Sequence, residues 1–223
     1  MRLLYIIGLS WIAMLLCYTA GTAMPSSNTS DWRRRPFAQT MENTSVPVGW
    51  VDFCIAQPKE CAMTGLSPLI VTMTDERWSD LHKIDMLANH TIYGVADNDH
   101  YGIYKLGIIN WWTYPDDGKG NCNDYVLLKK KLLVEAGWPA SALLLTVVLD
   151  HENEGHLVLT VRTDRGDLIL DNMVDDVKLW NATGYTFIKR QSQGDPNTWQ
   201  RLEPGKSPQE LAMINRVRAA RQQ

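Results

Sequence analysis

A single cysteine stands where a helix has to begin. In Gly118-Lys119-Gly120-Asn121-Cys122-Asn123-Asp124-Tyr125 two glycines interrupt whatever precedes, and Asn121 is a good N-cap residue. Tyr125, Val126, Lys129, Leu132, Leu133 and Ala136 then recur at the i, i+3/i+4 spacing of a helix buried along one side. Gly137 and Trp138-Pro139 end that helix. A thiol in the first turn lies among unpaired backbone N–H groups at the positive end of the helix dipole, which favours thiolate over thiol. The stretch reads as a prepared sulfur nucleophile, and the rest of the chain has to supply its proton-transfer partner.

The N-terminus sets the compartment. Arg2, an apolar run from Leu3 to Tyr18 and the small residues Gly21-Thr22-Ala23 have the layout of a secretory signal over residues 1–23, cut after Ala23. The run is shorter than the ~20 residues of a spanning helix, so no stable membrane insertion is expected after cleavage. Export leaves Cys54, Cys61 and Cys122, and three thiols cannot all pair internally. Cys54 and Cys61 flank a short stretch containing Pro58 and are the expected disulfide; Cys122 stays free. A net charge of -3 gives no reason to expect nucleic acid as a partner.

Residues 24–47, rich in Ser, Asn, Thr and Pro, read as an extended lead-in. Residues 48–202 read as one compact domain and 203–223 as a C-terminal helix and tail, where Ser207-Pro208-Gln209-Glu210 is a capping box ahead of Leu211, Ile214 and Val217. Inside the domain, Thr74 caps a helix carrying Trp78, Leu81, Ile84, Leu87 and Ala88, with His82 exposed. Residues from Tyr93 to Tyr114 show no sustained period and read as loop. After the cysteine helix the period becomes that of strands: Ala142 to Leu149, His156 to Thr163, and Asp167 to Asp171 across an Asp164-Arg165-Gly166 turn. Val177 to Trp180 and Tyr185 to Ile188 add further strand candidates. The fold class is α+β, a nucleophile helix packed on an antiparallel sheet.

A thiolate nucleophile needs a group that takes and returns a proton, and a histidine oriented by a carboxylate or amide does so near neutral pH. His82, His90 and His100 lie in exposed or loop positions and His151 in a polar turn. His156 begins a strand directly after Gly155. For its orienting partner, a tight turn would set Asp171 opposite Leu159, about three residues or ~10 Å along the strand from His156. Asp175 competes on register counting; Asp167 lies too near the turn.

These residues resemble the bacterial transglutaminase-like cysteine proteinases, whose best understood members are periplasmic proteases that release large adhesins from the cell surface. The similarity runs from about Val48 to Trp199. It comprises Phe53-Cys54 with Pro58-Lys59-Glu60-Cys61, the Gly120-to-Tyr125 block, Glu154-Gly155-His156-Leu157-Val158-Leu159, Gly166-Asp167 with Leu170-Asp171-Asn172, and Arg190-Gln191-Ser192. The resemblance implies a papain-like or transglutaminase-like core with Cys122 as nucleophile, His156 as general base and acid, and Asp171 as its orienter. It also implies a protein or peptide substrate, a periplasmic or secreted bacterial location, and a regulatory membrane protein as partner.

One departure concerns a metal. In the adhesin proteases acidic residues flank the cysteine and help bind a calcium ion; here Asn121 and Asn123 hold those places, and only Asp124 remains acidic. Calcium prefers several oxygen ligands with carboxylate charge, so Asp124 is at most one weak ligand and no cofactor is expected to be required. Three functions are compatible with the residues: a cysteine endopeptidase, an acyltransferase using the same three groups, and a silent binding module that keeps the fold. In either enzyme the backbone N–H of Cys122 supplies one oxyanion donor, with Trp112 a candidate for the second.

Overall fold

The computed structural model describes residues 36–62, 65–102, 110–203 and 216. The signal sequence and, apart from residue 216, the C-terminal helix expected from the sequence lie outside the described residues.

The chain opens with strand β1 (Gln39–Thr44) and helix α1 (Val48–Ala56), followed by the one-turn helix α2 (Pro58–Cys61). Trp50 and Phe53 turn inward from α1 and stack at 5.5 Å. Cys54 and Cys61 are disulfide-bonded across the break between α1 and α2. Asn197 ties this corner to the far end of the chain. Its Oδ1 accepts the Trp50 indole N–H at 3.2 Å, and its Nδ2 donates to the Cys61 carbonyl at 2.9 Å.

Helix α3 (Asp75–Thr91) starts at Thr74, whose hydroxyl accepts the Arg77 N–H. The inward residues are Leu81, Asp85 and Ala88, while Leu87 is half-exposed. Asp85, which the apolar spacing did not single out, faces inward between Leu81 and Ala88. Asp85 meets Lys129 at 2.7 Å, both side chains fully buried. Burial raises Asp85 to about 6 against the pull of Lys129, and burial lowers Lys129 against the pull of Asp85. Short elements follow: β2 (Tyr93–Gly94), α4 (Asp97–Tyr101) and β3 (Lys119–Gly120), the two strands pairing in parallel.

Helix α5 (Cys122–Glu135) carries the lone cysteine at its first position. Its end is a Schellman motif: Trp138 N–H donates to the Leu133 carbonyl, Gly137 N–H to that of Val134, and Gly137 takes φ +87°. Leu133 and Trp138 share the same buried cluster.

After a 3-10 turn come β4 (Leu143–Leu149), β5 (Gly155–Thr163), β6 (Gly166–Leu170), β7 (Lys178–Leu179), β8 (Thr186–Gln191) and β9 (Trp199–Glu203). Among the described residues these join β1 in one antiparallel sheet of order β1-β9-β8-β4-β5-β6-β7. Strand β1 pairs with β9 at an edge and falls within the stretch read from sequence as lead-in; its residues are almost all exposed. Just before it, Asp167 Oδ2 accepts the Ala38 N–H at 3.0 Å and an Arg190 N–H at 2.7 Å, which anchors the chain's entry to the sheet.

Alternation divides the core. Leu157, Leu159 and Val161 of β5 share a cluster with Val126, Leu127 and Leu133 of α5. Val158 shares a second cluster with Val148, Ile169, Trp180, Tyr185 and Phe187. Successive residues of β5 thus feed two clusters, one with the nucleophile helix and a smaller aromatic one.

Candidate active site

Cys122 is a free, partly exposed thiol at the start of α5. The backbone around it is fixed by a reciprocal cap. Asn121 Oδ1 accepts the Asn123 N–H at 3.0 Å, and Asp124 Oδ2 accepts the Asn121 N–H at 3.0 Å. The other Asp124 oxygen accepts the Thr113 N–H at 3.0 Å, which pins the incoming loop to the helix start. Burial raises Asp124 to about 7 although both N–H donors favour its charged form. Gly120 leaves the necessary room, since a Cβ there would lie 2.7 Å from Asp124. Asn123 Nδ2 donates to Asn110 Oδ1 at 2.6 Å.

His156 is buried near the start of β5, directly opposite Val148 of β4. Its Nε2 lies 2.7 Å from Asp171 Oδ1. The Cys122 thiol donates to Asn123 Oδ1 at 3.8 Å, and Cys122 is among the groups whose nearness raises His156. Burial disfavours the imidazolium, but the hydrogen bonds and charges of Asp171 and Cys122 outweigh it and raise His156 to about 9. Asp171 is lowered: burial pushes it up, while His156, the Tyr185 hydroxyl and the Met173 N–H hold the carboxylate form more strongly.

The sequence register was one residue out, and the error mattered. Leu159 pairs with Leu170 and Thr163 with Gly166, so continuing the ladder puts Asp171 level with Val158, not Leu159. Side chains alternate between faces, and a shift of one residue moves Asp171 to the side of the sheet that His156 shares with Val158. Asp171 is also the first residue past β6, free of strand geometry and able to lean back along β5.

Asp175, the competing carboxylate, lies elsewhere. Its Oδ1 accepts from Asn89 Nδ2 at 2.9 Å and its Oδ2 faces His90 at 3.1 Å. The same Asn89 amide donates to the backbone carbonyl of Asp171 at 3.0 Å. The end of α3 therefore staples the 171–175 loop through the Asp171 carbonyl and the Asp175 carboxylate.

Trp112 is a packing residue. Its indole lies against Gly49, where a Cβ would clash with it, and meets Trp50 edge-on at 6.4 Å. The remaining histidines are dispersed: His82 packs on Trp78, His100 pairs with Asp117 at 2.7 Å, and His151 rests against Tyr185. Sequence reasoning passed over Asn89 and Tyr185. An amide at a helix end and a phenol at a strand start have no spacing that sets them apart from surface and core residues.

Both Asp124 oxygens and the Asn121 oxygen accept backbone N–H groups. Nearby Asp97 accepts the Trp111 N–H at 2.7 Å, and burial raises it, the Trp111 N–H and the Asn121 amide working in the opposite direction. Among the described residues no group of three or more His, Cys, Asp or Glu side chains is placed to hold a metal ion.

The family model for bacterial transglutaminase-like cysteine proteinases, BTLCP, matches residues 40–207. The chain belongs to that family. The match begins inside β1, so the edge strand is part of the family unit. Among solved structures the chain is similar to Legionella pneumophila LapG. The EGTA-treated form is 24% identical over 51% of this chain and 62% of that chain, with a TM-score of 0.43. The calcium-bound form is 19% identical over 63% of this chain and 80% of that one, with a TM-score of 0.46. A third LapG structure gives 20% identity, 63% and 75% coverage, and a TM-score of 0.46. No curated protein matches significantly. The family assignment rests on the sequence match. The chain spans about 62% of the length of the first of these LapG structures, and it carries the family unit on the α+β architecture described above. Among the described residues no helix is long and apolar enough to cross a membrane.

Proposed function

We propose that this chain is an exported cysteine endopeptidase in which Cys122, His156 and Asp171 do the chemistry. The observation that carries the reading is the contact of His156 Nε2 with Asp171 Oδ1 at 2.7 Å, with the free Cys122 thiol at the first position of α5 among the groups that raise His156. With the thiol proton already resting on His156, Cys122 Sγ bonds to the substrate carbonyl carbon, and the carbonyl oxygen becomes an oxyanion held by the Cys122 backbone N–H. The C–N bond then breaks, and the imidazolium gives its proton to the leaving amine. Water, deprotonated by His156, attacks the thioester; the carboxylic acid leaves and the proton stays on His156. Asp171 keeps Nε2 of the ring as a hydrogen-bond donor and stabilises the imidazolium between these transfers.

The substrate we infer is a periplasmic or cell-surface protein. The signal layout of residues 1–23 supports export, as does the Cys54–Cys61 disulfide, a bond that persists in oxidising compartments. A regulatory membrane protein belongs to the same inference, by resemblance to the family. Calcium is not required in this reading, because capping hydrogen bonds already hold the nucleophile's backbone.

The test is peptide-bond cleavage by the mature chain on a mixture of unfolded polypeptides, read as new N-termini by mass spectrometry. Termini that appear with the wild type and vanish with Cys122→Ala support the proposal. The same termini with both proteins, or none with either, overturn it.

A further inference from the structure

Asp171 has a second neighbour at its carboxylate. We propose that Tyr185 is a positioning residue of the reaction, acting on His156 through Asp171. This rests on the function proposed above and adds to it a fourth residue that touches no substrate atom.

The two oxygens of Asp171 have different partners. Oδ1 takes His156 Nε2 at 2.7 Å and the Met173 N–H at 3.0 Å. Oδ2 takes the Tyr185 hydroxyl at 2.6 Å, a short, charge-assisted bond. A carboxylate held at one oxygen can turn about its last torsion, which is broad for aspartate. Held at both, it cannot turn without breaking bonds at each. The phenol thus fixes which oxygen, and which lone pair, faces the imidazole. Its ring also meets the His156 ring edge-on at 5.9 Å, so one side chain bounds the imidazole and orients the group that orients it.

Tyr185 reaches this place by a turn built for it. After the 3-10 turn at Trp180–Ala182, Thr183 Oγ1 donates to the Trp180 carbonyl at 2.9 Å and accepts the Tyr185 N–H at 3.2 Å. Gly184 takes φ +77°, and a Cβ there would lie 2.7 Å from the His151 ring. His151 packs on the Tyr185 ring at 5.1 Å. Burial, and then the hydrogen bond and charge of Asp171, raise the phenol well above its ordinary range, so it remains a donor wherever the enzyme works.

Tyr185→Phe keeps the ring, its packing against Trp180, Phe187 and Val158, and removes only the hydroxyl. Losing a hydrogen bond to a charged group at a reacting site predicts a fall in kcat of roughly tenfold to a hundredfold with KM unchanged. The decisive comparison repeats the change in an Asp171→Ala background, reading the rate at which iodoacetamide alkylates Cys122, which stays measurable when turnover does not. Tyr185→Phe should slow alkylation when Asp171 is present and have no further effect when it is absent. Equal effects in both backgrounds, or none in either, overturn the proposal. NMR of the His156 ring separates this from failure of the peptidase reading. If no substrate is ever cleaved, the positioning role still predicts that the hydrogen-bonded Nε2–H resonance of His156 shifts in Tyr185→Phe and not further when Asp171 is already absent, and an unchanged resonance overturns it.

Discussion

Asp124 and Asn121 hold each other at the start of the nucleophile helix, the carboxylate accepting the Asn121 N–H at 3.0 Å while the Asn121 side chain accepts the N–H of Asn123. A carboxylate used in this way is a building part of the helix start. Chelator-stripped protein should therefore show no calcium binding tighter than ~10⁻⁴ M by calorimetry and unchanged activity when the ion is added. Asp124→Ala should cost about 1–2 kcal/mol of stability. Micromolar binding abolished by Asp124→Ala would show that the remaining oxygens suffice for an ion.

The raised titration of His156 gives the pH dependence a direction. His156 moves from 6.5 to about 9 on folding. Its contribution to stability is fully present below the unfolded value and is lost as pH rises through the folded one. The imidazolium that protonates the leaving amine disappears over the same range. The alkaline limb of kcat/KM should lie near 9, and thermal stability should decline from neutral pH towards that value. In His156→Ala that part of the decline should be absent.

Two nearby carboxylates predict opposite phenotypes. Asp171→Ala should lower turnover by several orders of magnitude, in line with loss of the orienting group in other triads, and should destabilise the fold by leaving Tyr185 and Met173 without an acceptor. Asp175→Ala loosens only the exposed contact with Asn89 and His90 and should leave kcat within a few-fold. Activity retained by the first variant and lost by the second would reverse the assignment.

The buried pair of α3 and α5 makes a stability prediction without a catalytic one. Lys129→Met alone leaves Asp85 buried without its partner, so that it must take up a proton or stand unpaired in the core, and should cost about 3–5 kcal/mol. Adding Asp85→Leu should return most of that loss. Chemical denaturation of the two variants measures the difference, and a double variant as unstable as the single one would contradict it.

What the sequence made legible follows from how local the signal is. The start and end of α5 are written in short-range chemistry, an asparagine cap and a glycine at positive φ, and both stand where the sequence set them. The hairpin of β5 and β6 was legible in type but missed by one residue in register, because turn length alone does not fix pairing to a single residue. Strand β1 escaped because Gln39-Thr40-Met41-Glu42-Asn43-Thr44 is an exposed edge strand with no buried face to create alternation. Helix α1 escaped for the opposite reason. Its Val48, Val51 and Ile55 are exposed while Trp50 and Phe53 are buried, so apolar residues surround the axis and no helical period emerges. Tyr185 and Asn89 act through contacts far apart in sequence, which no spacing rule encodes.

The most direct measurement of the central claim is the rate at which a small electrophile alkylates Cys122, followed from acid to alkaline pH in the wild type and in His156→Ala. A thiol coupled to His156 and Asp171 should label rapidly at neutral pH and lose that speed when the histidine is removed, with the fold intact by circular dichroism. Equal rates in the two proteins, rising together only at alkaline pH as for an unassisted cysteine, would show that Cys122 and His156 do not work as one unit.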